Sequence, residues 1–178
     1  MPATSQSMAL GVIVERRDIN HPWQRYRWQA VGVIPGADPV AEPRLLRREP
    51  GLVQYHVATL AATIHRTETE GYKRNLANQE PVVYVVMSGF DGDSESDIPA
   101  PRLVTVCPYE AQDYLDAGDV DEAVEAIAMP EDVQAWVKAY IDEHHVDEPF
   151  YKRKRKKWKT EEPRRQPPPG QGGRMGRI

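Results

Sequence analysis

Apolar and polar residues alternate in QRYRWQAVGVI, residues 24–34, which predicts a half-buried strand. Successive side chains of a strand point to opposite faces of its sheet. Tyr26 and Trp28 therefore share one face, and Arg25 and Arg27 share the other. We expect the two aromatic residues to lie in a core and the two arginines to face solvent.

Five other segments have the short apolar runs and β-branched residues that are typical of strands. They are MALGVIVER, LVQYHVATLAATIHR, PVVYVVM, RLVTVC and VDEAVEAIAM. The last of these also fits a helix, and we interpret it as a strand. The proline-rich segment PGADPVAEP is predicted to be a loop.

Three segments predict helices. TEGYKRNL suits a short helical turn, and PYEAQDYLDAGD suits a short helix that Gly118 would end. Pro130 is well placed to begin a third helix, because proline is tolerated in the first turn. Apolar residues then follow at the spacing of one helix face: Val133, Trp136, Val137, Tyr140 and Ile141.

These elements predict an α+β fold with one domain over residues 8–150. We expect a curled or barrel-like, mostly antiparallel sheet of about five to six strands, short helices and one C-terminal packing helix. Residues 151–178 are rich in basic residues, proline and glycine and are predicted to form a disordered tail. The predicted core contains five residues buried together: Trp28, Tyr84, Val85, Trp136 and Tyr140.

The net charge of −4 conceals a strong separation of charge along the chain. Residues 1–87 carry ten Lys or Arg and eight Asp or Glu, a net charge of +2. Residues 88–150 carry two basic and seventeen acidic residues, a net charge of −15, and residues 151–178 carry eleven basic and two acidic residues, a net charge of +9. This asymmetry points to charged partners.

Several classes of protein are not indicated. No run of about 18 apolar residues predicts a membrane span, and the first residues lack the pattern of a secretory signal. The single cysteine, Cys107, excludes an internal disulfide. We therefore expect a cytoplasmic protein.

The arginine- and aromatic-rich stretch RRDINHPWQRYRW, residues 16–28, has two interpretations. It is a cationic aromatic surface for an anionic ligand or an acidic protein, or it is a strand whose arginines are merely solvated. Alternation explains Tyr26 and Trp28 as structural. It leaves unexplained a group around the predicted turn: Arg16, Arg17, Asn20, Pro22 and Trp23. Of these, Arg16, Arg17, Asn20 and Trp23 are the candidates for partner binding.

The tail contains KRKRKKWK, in which seven of eight residues are cationic. It suits nucleic acid, with one stacking aromatic residue, or anionic lipid, or an acidic protein surface, whether of this chain or of a partner. A solvated tail without a dedicated ligand is the plain alternative. The candidate binding residues here are Lys152, Arg153, Lys154, Arg155, Lys156, Lys157 and Trp158.

Catalytic and metal-binding patterns are weak. DGDSESD begins like a calcium loop, but Ser96 stands where the loop needs glycine and Arg102 where it needs glutamate. The histidines, including the adjacent His144 and His145, have no metal-ligand spacing. Cys107 lacks an identifiable base and is expected to be a small buried residue. We predict no catalytic set, no metal and no cofactor.

Several blocks together resemble an uncharacterised proteobacterial domain family over about residues 8–157. Genes of that family are commonly found beside those of molybdenum- or tungsten-dependent formate dehydrogenases and their maturation factors. The blocks are ERRDINHPWQRYRWQAVGVIPG, PVVYVVM, CPYEAQDYLDAGD, MPEDVQAWVKAYIDEHH and EPFYKRKRKK. Cys107 departs from the serine that the resemblance leads us to expect there, which argues against a catalytic cysteine.

The resemblance implies a non-catalytic accessory or assembly protein that binds a large redox enzyme or its maturation factors. A nucleic-acid-binding regulator that uses the basic tail is the second hypothesis. An enzyme that uses Cys107 or the histidines ranks last.

Overall fold

The structure is a computed structural model that describes residues 4–89, 97–117 and 122–146. These residues form an α+β fold. Its strands are β1 (Ser5–Asp18), β2 (Tyr26–Pro35), β3 (Arg44–Glu49), β4 (Leu52–His65), β5 (Val82–Ser88), β6 (Ala100–Thr105) and β7 (Glu122–Ala128). Its helices are α1 (Thr69–Leu76), α2 (Pro108–Ala117) and α3 (Glu131–His144), and a 3-10 turn (Arg66–Glu68) precedes α1.

The first sheet is antiparallel, with strand order β2-β1-β4-β3. Its register fixes which side chains share a face, since residues directly opposite each other lie on the same side. Val14 is opposite Ala30 on β2 and Tyr55 on β4, and this face packs in the core. Glu15, the next residue, lies on the outer face.

The second sheet is also antiparallel, with order β6-β5-β7. Its central strand contributes the fully buried Val83, Val85 and Met87 to the same core that the first sheet lines. A continuous apolar run such as PVVYVVM suits a strand that is covered by neighbours on both edges and packed against a core.

Helix α3 closes the core by packing Val133, Val137 and Tyr140 into it. It also contacts the beginning of β1. The Tyr140 hydroxyl donates to the backbone carbonyl of Thr4 at 2.7 Å, and Trp136 Nε1 donates to Gln6 Oε1 at 3.2 Å. The last helix therefore holds the first strand.

Asn75 on α1 joins the helix to the second sheet. Its Nδ2 donates to the carbonyls of Val82 and Val106 at 2.7 and 2.8 Å, and its Oδ1 accepts from Val82 N at 3.0 Å. The side chain is 1% exposed, so these bonds replace water contacts that burial removed.

The α+β class, the antiparallel strands and the C-terminal packing helix are confirmed. The strands divide into two sheets that are not closed. The sequence did not predict β3. Of the five residues predicted to share the core, Trp28, Val85 and Tyr140 lie within it. Trp136 is only partly buried at the margin of the core. The prediction was wrong for Tyr84, which is half-buried. Tyr84 alternates with Val83 and Val85, so it points away from the side they bury.

Some predictions fall outside the described residues: most of the acidic DGDSESD loop, the helix end at Gly118, and the basic tail 151–178. None of the helices in the described ranges is both long enough and apolar enough to cross a membrane.

Candidate functional site

Two hairpins of the first sheet end side by side. The loop of residues 19–25 joins β1 to β2, and Ile19 N–H donates to Arg25 O across its base at 3.0 Å. The turn between β3 and β4 contains Gly51 at φ +75°, a conformation that favours glycine. Asp18 N–H donates to Gly51 O at 2.9 Å, which ties the loop to the turn.

This junction gathers the arginines of the first sheet. The strand register places β1 residues 16–17 between β2 residues 27–28 and β4 residues 52–53, with β3 alongside β4. We call the following residues the arginine-rich end: Arg16, Arg17, Arg25, Arg27, Arg44, Arg47 and Arg48, with Trp23, Leu45 and Leu46. Three acidic residues lie among these seven arginines, namely Glu15, Asp18 and Glu49, so the net charge of this end is positive.

Glu15 is the buried acid of this surface, 4% exposed although it lies on the outer face. Arg17 donates to its Oε1 from two nitrogens at 3.0 and 2.8 Å, and Gln54 Nε2 donates to its Oε2 at 2.7 Å. Burial alone would raise the pKa of Glu15, but these hydrogen bonds and the charges of Arg17 and Arg47 lower it below its usual value. The carboxylate therefore stays ionised and holds Arg17 in place.

The predicted turn residues divide between strand and loop. Arg16 and Arg17 belong to β1, which continues to Asp18, because the β1–β2 pairing extends beyond the predicted strand. Arg16 is opposite Trp28, and its guanidinium carbon lies 4.7 Å from the centre of the Tyr26 ring. Trp28 is 5% exposed, which confirms it as a core residue, while Tyr26 is half-buried beneath arginine.

The loop presents Trp23 to solvent with 84% of its surface exposed, beside the exposed Asn20 and Pro22. A large exposed aromatic next to arginines matches the composition of binding hot spots. The backbone N–H of Trp23 donates to His21 Nδ1 at 3.3 Å, a local contact that shapes the loop.

Strand β3 extends the surface with residues that were not predicted from the sequence as binding candidates: Arg44, Leu45, Leu46, Arg47 and Arg48. All six residues of β3 are exposed, and the strand lies at the edge of the sheet. Arg47 pairs with Glu49 through hydrogen bonds of 2.8 and 2.6 Å. The Pro-Gly pair in RREPGLVQ was the available signal, because it marks a tight turn and so implies a strand on each side.

Cys107 lies in a different part of the fold, at the start of α2, and is 2% exposed. Burial raises the pKa of its thiol, and the nearby acids Glu68 and Glu110 raise it further, against the lowering effect of the Glu110 and Tyr109 backbone N–H groups. The thiol is therefore protonated at neutral pH, and the nucleophilic thiolate is disfavoured.

Three further histidines, apart from His21, make side-chain contacts within the described part of the fold. His56 is 5% exposed and shares a 2.9 Å hydrogen bond with the Thr59 hydroxyl, which itself donates to Asp38 O. His56 Nε2 is therefore the donor. Gly11 leaves room for this ring, because a Cβ there would lie 2.6 Å from Nε2.

The other two lie at the end of α3, with His144 as its last residue and His145 directly after it. The His144 ring packs against the Tyr140 ring with 4.4 Å between centroids. His145 lies between Lys73 Nζ and the Thr69 hydroxyl, each at 2.9 Å, so it joins the end of α3 to α1. Within the described ranges, no three His, Cys, Asp or Glu side chains are grouped closely enough to hold a metal ion.

A protein-family model described as "Protein of unknown function (DUF3305)" matches residues 9–155 of the chain. No curated protein matches it, and no solved structure does.

Proposed function

We propose that this chain, which belongs to the DUF3305 family of proteins of unknown function, is a non-catalytic accessory protein that binds a large redox enzyme or its maturation factors. The resemblance of the sequence blocks points to molybdenum- or tungsten-dependent formate dehydrogenase as the class of enzyme. The arginine-rich end is the surface through which we propose that it binds.

The observation that carries a binding role is the exposure of Trp23, Leu45 and Leu46 among arginines. Arginine and tryptophan are enriched among the residues that dominate binding energy, and the exposed leucines add apolar area whose burial is favourable. The excess positive charge selects an acidic partner surface and would speed encounter with it. The internal contacts of Cys107 and the histidines support a role that depends on binding rather than on chemistry.

The tail, residues 151–178, would act as a tether that strengthens the encounter with the same acidic partner. Its basic segment lies outside the described residues, so this part of the proposal rests on charge alone. Interactions of this kind weaken when salt screens them, over a Debye length of about 8 Å at physiological ionic strength.

The test is capture of partners from extracts of formate-grown cells, with identification by mass spectrometry. The wild-type chain should retain a formate dehydrogenase subunit or maturation factor. Trp23→Ala combined with Arg48→Ala should lose that protein while melting near the wild-type temperature. Lys138→Ala is the matched control, because it removes an exposed cation from α3, outside the arginine-rich end.

Two results would contradict the proposal. Equal capture by wild type and by the Trp23/Arg48 variant would show that the arginine-rich end is not the binding surface. Recovery of RNA or DNA in place of a redox protein, lost when residues 151–178 are deleted, would favour the nucleic-acid-binding alternative.

A further inference from the structure

In the described part of the chain, all the exposed large hydrophobic side chains except Val146, which follows α3, fall into two groups. Trp23, Leu45 and Leu46 belong to the arginine-rich end. The second group lies on α2: Tyr109 is 46% exposed, Tyr114 37% and Leu115 55%. Ala111 is the one buried residue of this ten-residue helix, so α2 lies shallowly on the fold and leaves most of its surface uncovered.

The two groups have opposite charge. Helix α2 contains Glu110, Asp113 and Asp116 and has no basic residue of its own. Arg74 from α1 packs 5.8 Å from the Tyr109 ring, at the beginning of the helix. The second half of α2 is therefore an acidic surface with an apolar centre, formed by Tyr114, Leu115 and the exposed Asp113 and Asp116. The arginine-rich end has the opposite charge.

The fold keeps these surfaces apart within one molecule. The arginine-rich end lies where β4 begins, at Leu52, and α1 follows where β4 ends, at His65. Helix α2 starts beside α1, since a Cβ on Gly71 would lie 3.0 Å from the Tyr109 ring. Strand β4 has 14 residues and spans about 45 Å at roughly 3.3 Å per residue, so contact between the two surfaces requires two molecules.

We propose that the arginine-rich end of one molecule binds the exposed face of α2 on a second copy of this chain. Opposite charges would orient the two molecules head to tail, and the tyrosine, tryptophan and leucine side chains would pack between them. Pairing of either surface with itself would oppose like charges. The contact is therefore heterologous, and each molecule that joins leaves one surface of each kind open.

This inference goes beyond the proposed function and does not depend on the identity of a redox enzyme. It uses the same arginine-rich end, so a partner that binds there would compete with the second copy. The experiment needs only purified full-length protein, and its failure leaves the capture experiment unaffected.

The test is sedimentation analysis of three forms of the protein. One variant carries Arg44→Glu and Arg48→Glu, which reverse charge in the arginine-rich end and replace no member of the Arg17–Glu15 or Arg47–Glu49 pairs. The other carries Asp113→Lys and Leu115→Ala on α2. Lys138→Ala serves as the control. Circular dichroism and thermal melting verify that each variant is folded.

The wild type and the control should gain weight-average mass with concentration, and high salt should reverse the gain. Each surface variant alone should remain monomeric. An equimolar mixture of the two should reach twice the monomer mass and stop there, because one intact surface of each kind remains. A monomeric wild type, self-association of either variant alone, or a mixture that remains monomeric would overturn the proposal.

Discussion

Arg17 donates two hydrogen bonds to a single carboxylate oxygen of Glu15, two residues before it on the same face of β1. The alternation of the strand brings the two side chains together, and Gln54 on the neighbouring strand bonds the other carboxylate oxygen. The arginine-rich end is thus built around a buried anion. The stability of the sheet and the shape of the binding surface depend on the same ionised group.

Replacement of Glu15 by glutamine should destabilise the fold by about 1.5–3 kcal/mol at pH 7, the range for hydrogen bonds to charged groups. The folded-state pKa of Glu15 lies below its ordinary value. Its contribution is therefore complete above the unfolded-state pKa and is lost as the pH falls through the folded-state pKa. Urea unfolding should show the difference in unfolding free energy between wild type and variant shrinking as the pH falls from the unfolded-state pKa of Glu15 through its folded-state pKa.

The matched control is Glu49→Gln, which breaks an exposed pair with Arg47. Exposed pairs contribute at most about 1 kcal/mol, so this variant should unfold close to wild type. A Glu15→Gln effect that is the same at acidic and neutral pH would show that the carboxylate charge is not what stabilises the site.

Asn75→Ala should cost more than an ordinary surface change, because it leaves the Val82 N–H and the Val82 and Val106 carbonyls without the bonds that Asn75 makes. Each buried polar group left unsatisfied costs about 1–3 kcal/mol. Asn78→Ala, at an exposed position just after α1, is the control. Chemical denaturation measures both, and equal stability of the two variants would contradict the role given to Asn75.

Tyr140→Ala should destabilise the protein by about 3–5 kcal/mol, as truncation of a buried aromatic residue does. Trp136→Ala should cost less, since Trp136 lies partly buried at the margin of the core. Thermal and urea unfolding give the order of the two. If Trp136→Ala proves the more harmful, the face that α3 buries differs from the one described.

Cys107 should react slowly with iodoacetamide in the folded protein at neutral pH and rapidly in urea. Burial keeps the thiol out of reach of the reagent and raises its pKa. Cys107→Ser should leave partner capture intact. Mass spectrometry of the alkylated protein measures the rate. Fast modification of the folded chain, or loss of capture by a folded Cys107→Ser variant, would restore a reactive role for the thiol.

Local patterns were sufficient for most elements. The alternation around Trp28 predicted β2 and its buried face, and the helical spacing from Val133 to Ile141 predicted α3. Such patterns work because a strand repeats every two residues and a helix every 3.6 residues. A buried face therefore shows in the sequence as apolar residues at that spacing. Charge separation along the chain was also visible without a structure.

Contacts distant in sequence were decided only by the tertiary structure. Strand β3 has six exposed residues and therefore no burial pattern to read, and its arginines join those of β1 and β2 through strand pairing with β4. Likewise, Glu15 is a polar residue on the outer face that burial and three hydrogen bonds convert into a structural anion. The sequence by itself determined the segments that form the other strands and the helices, whereas β3 and the strand pairing across tens of residues, which decides which charges share a surface, came only from the tertiary structure.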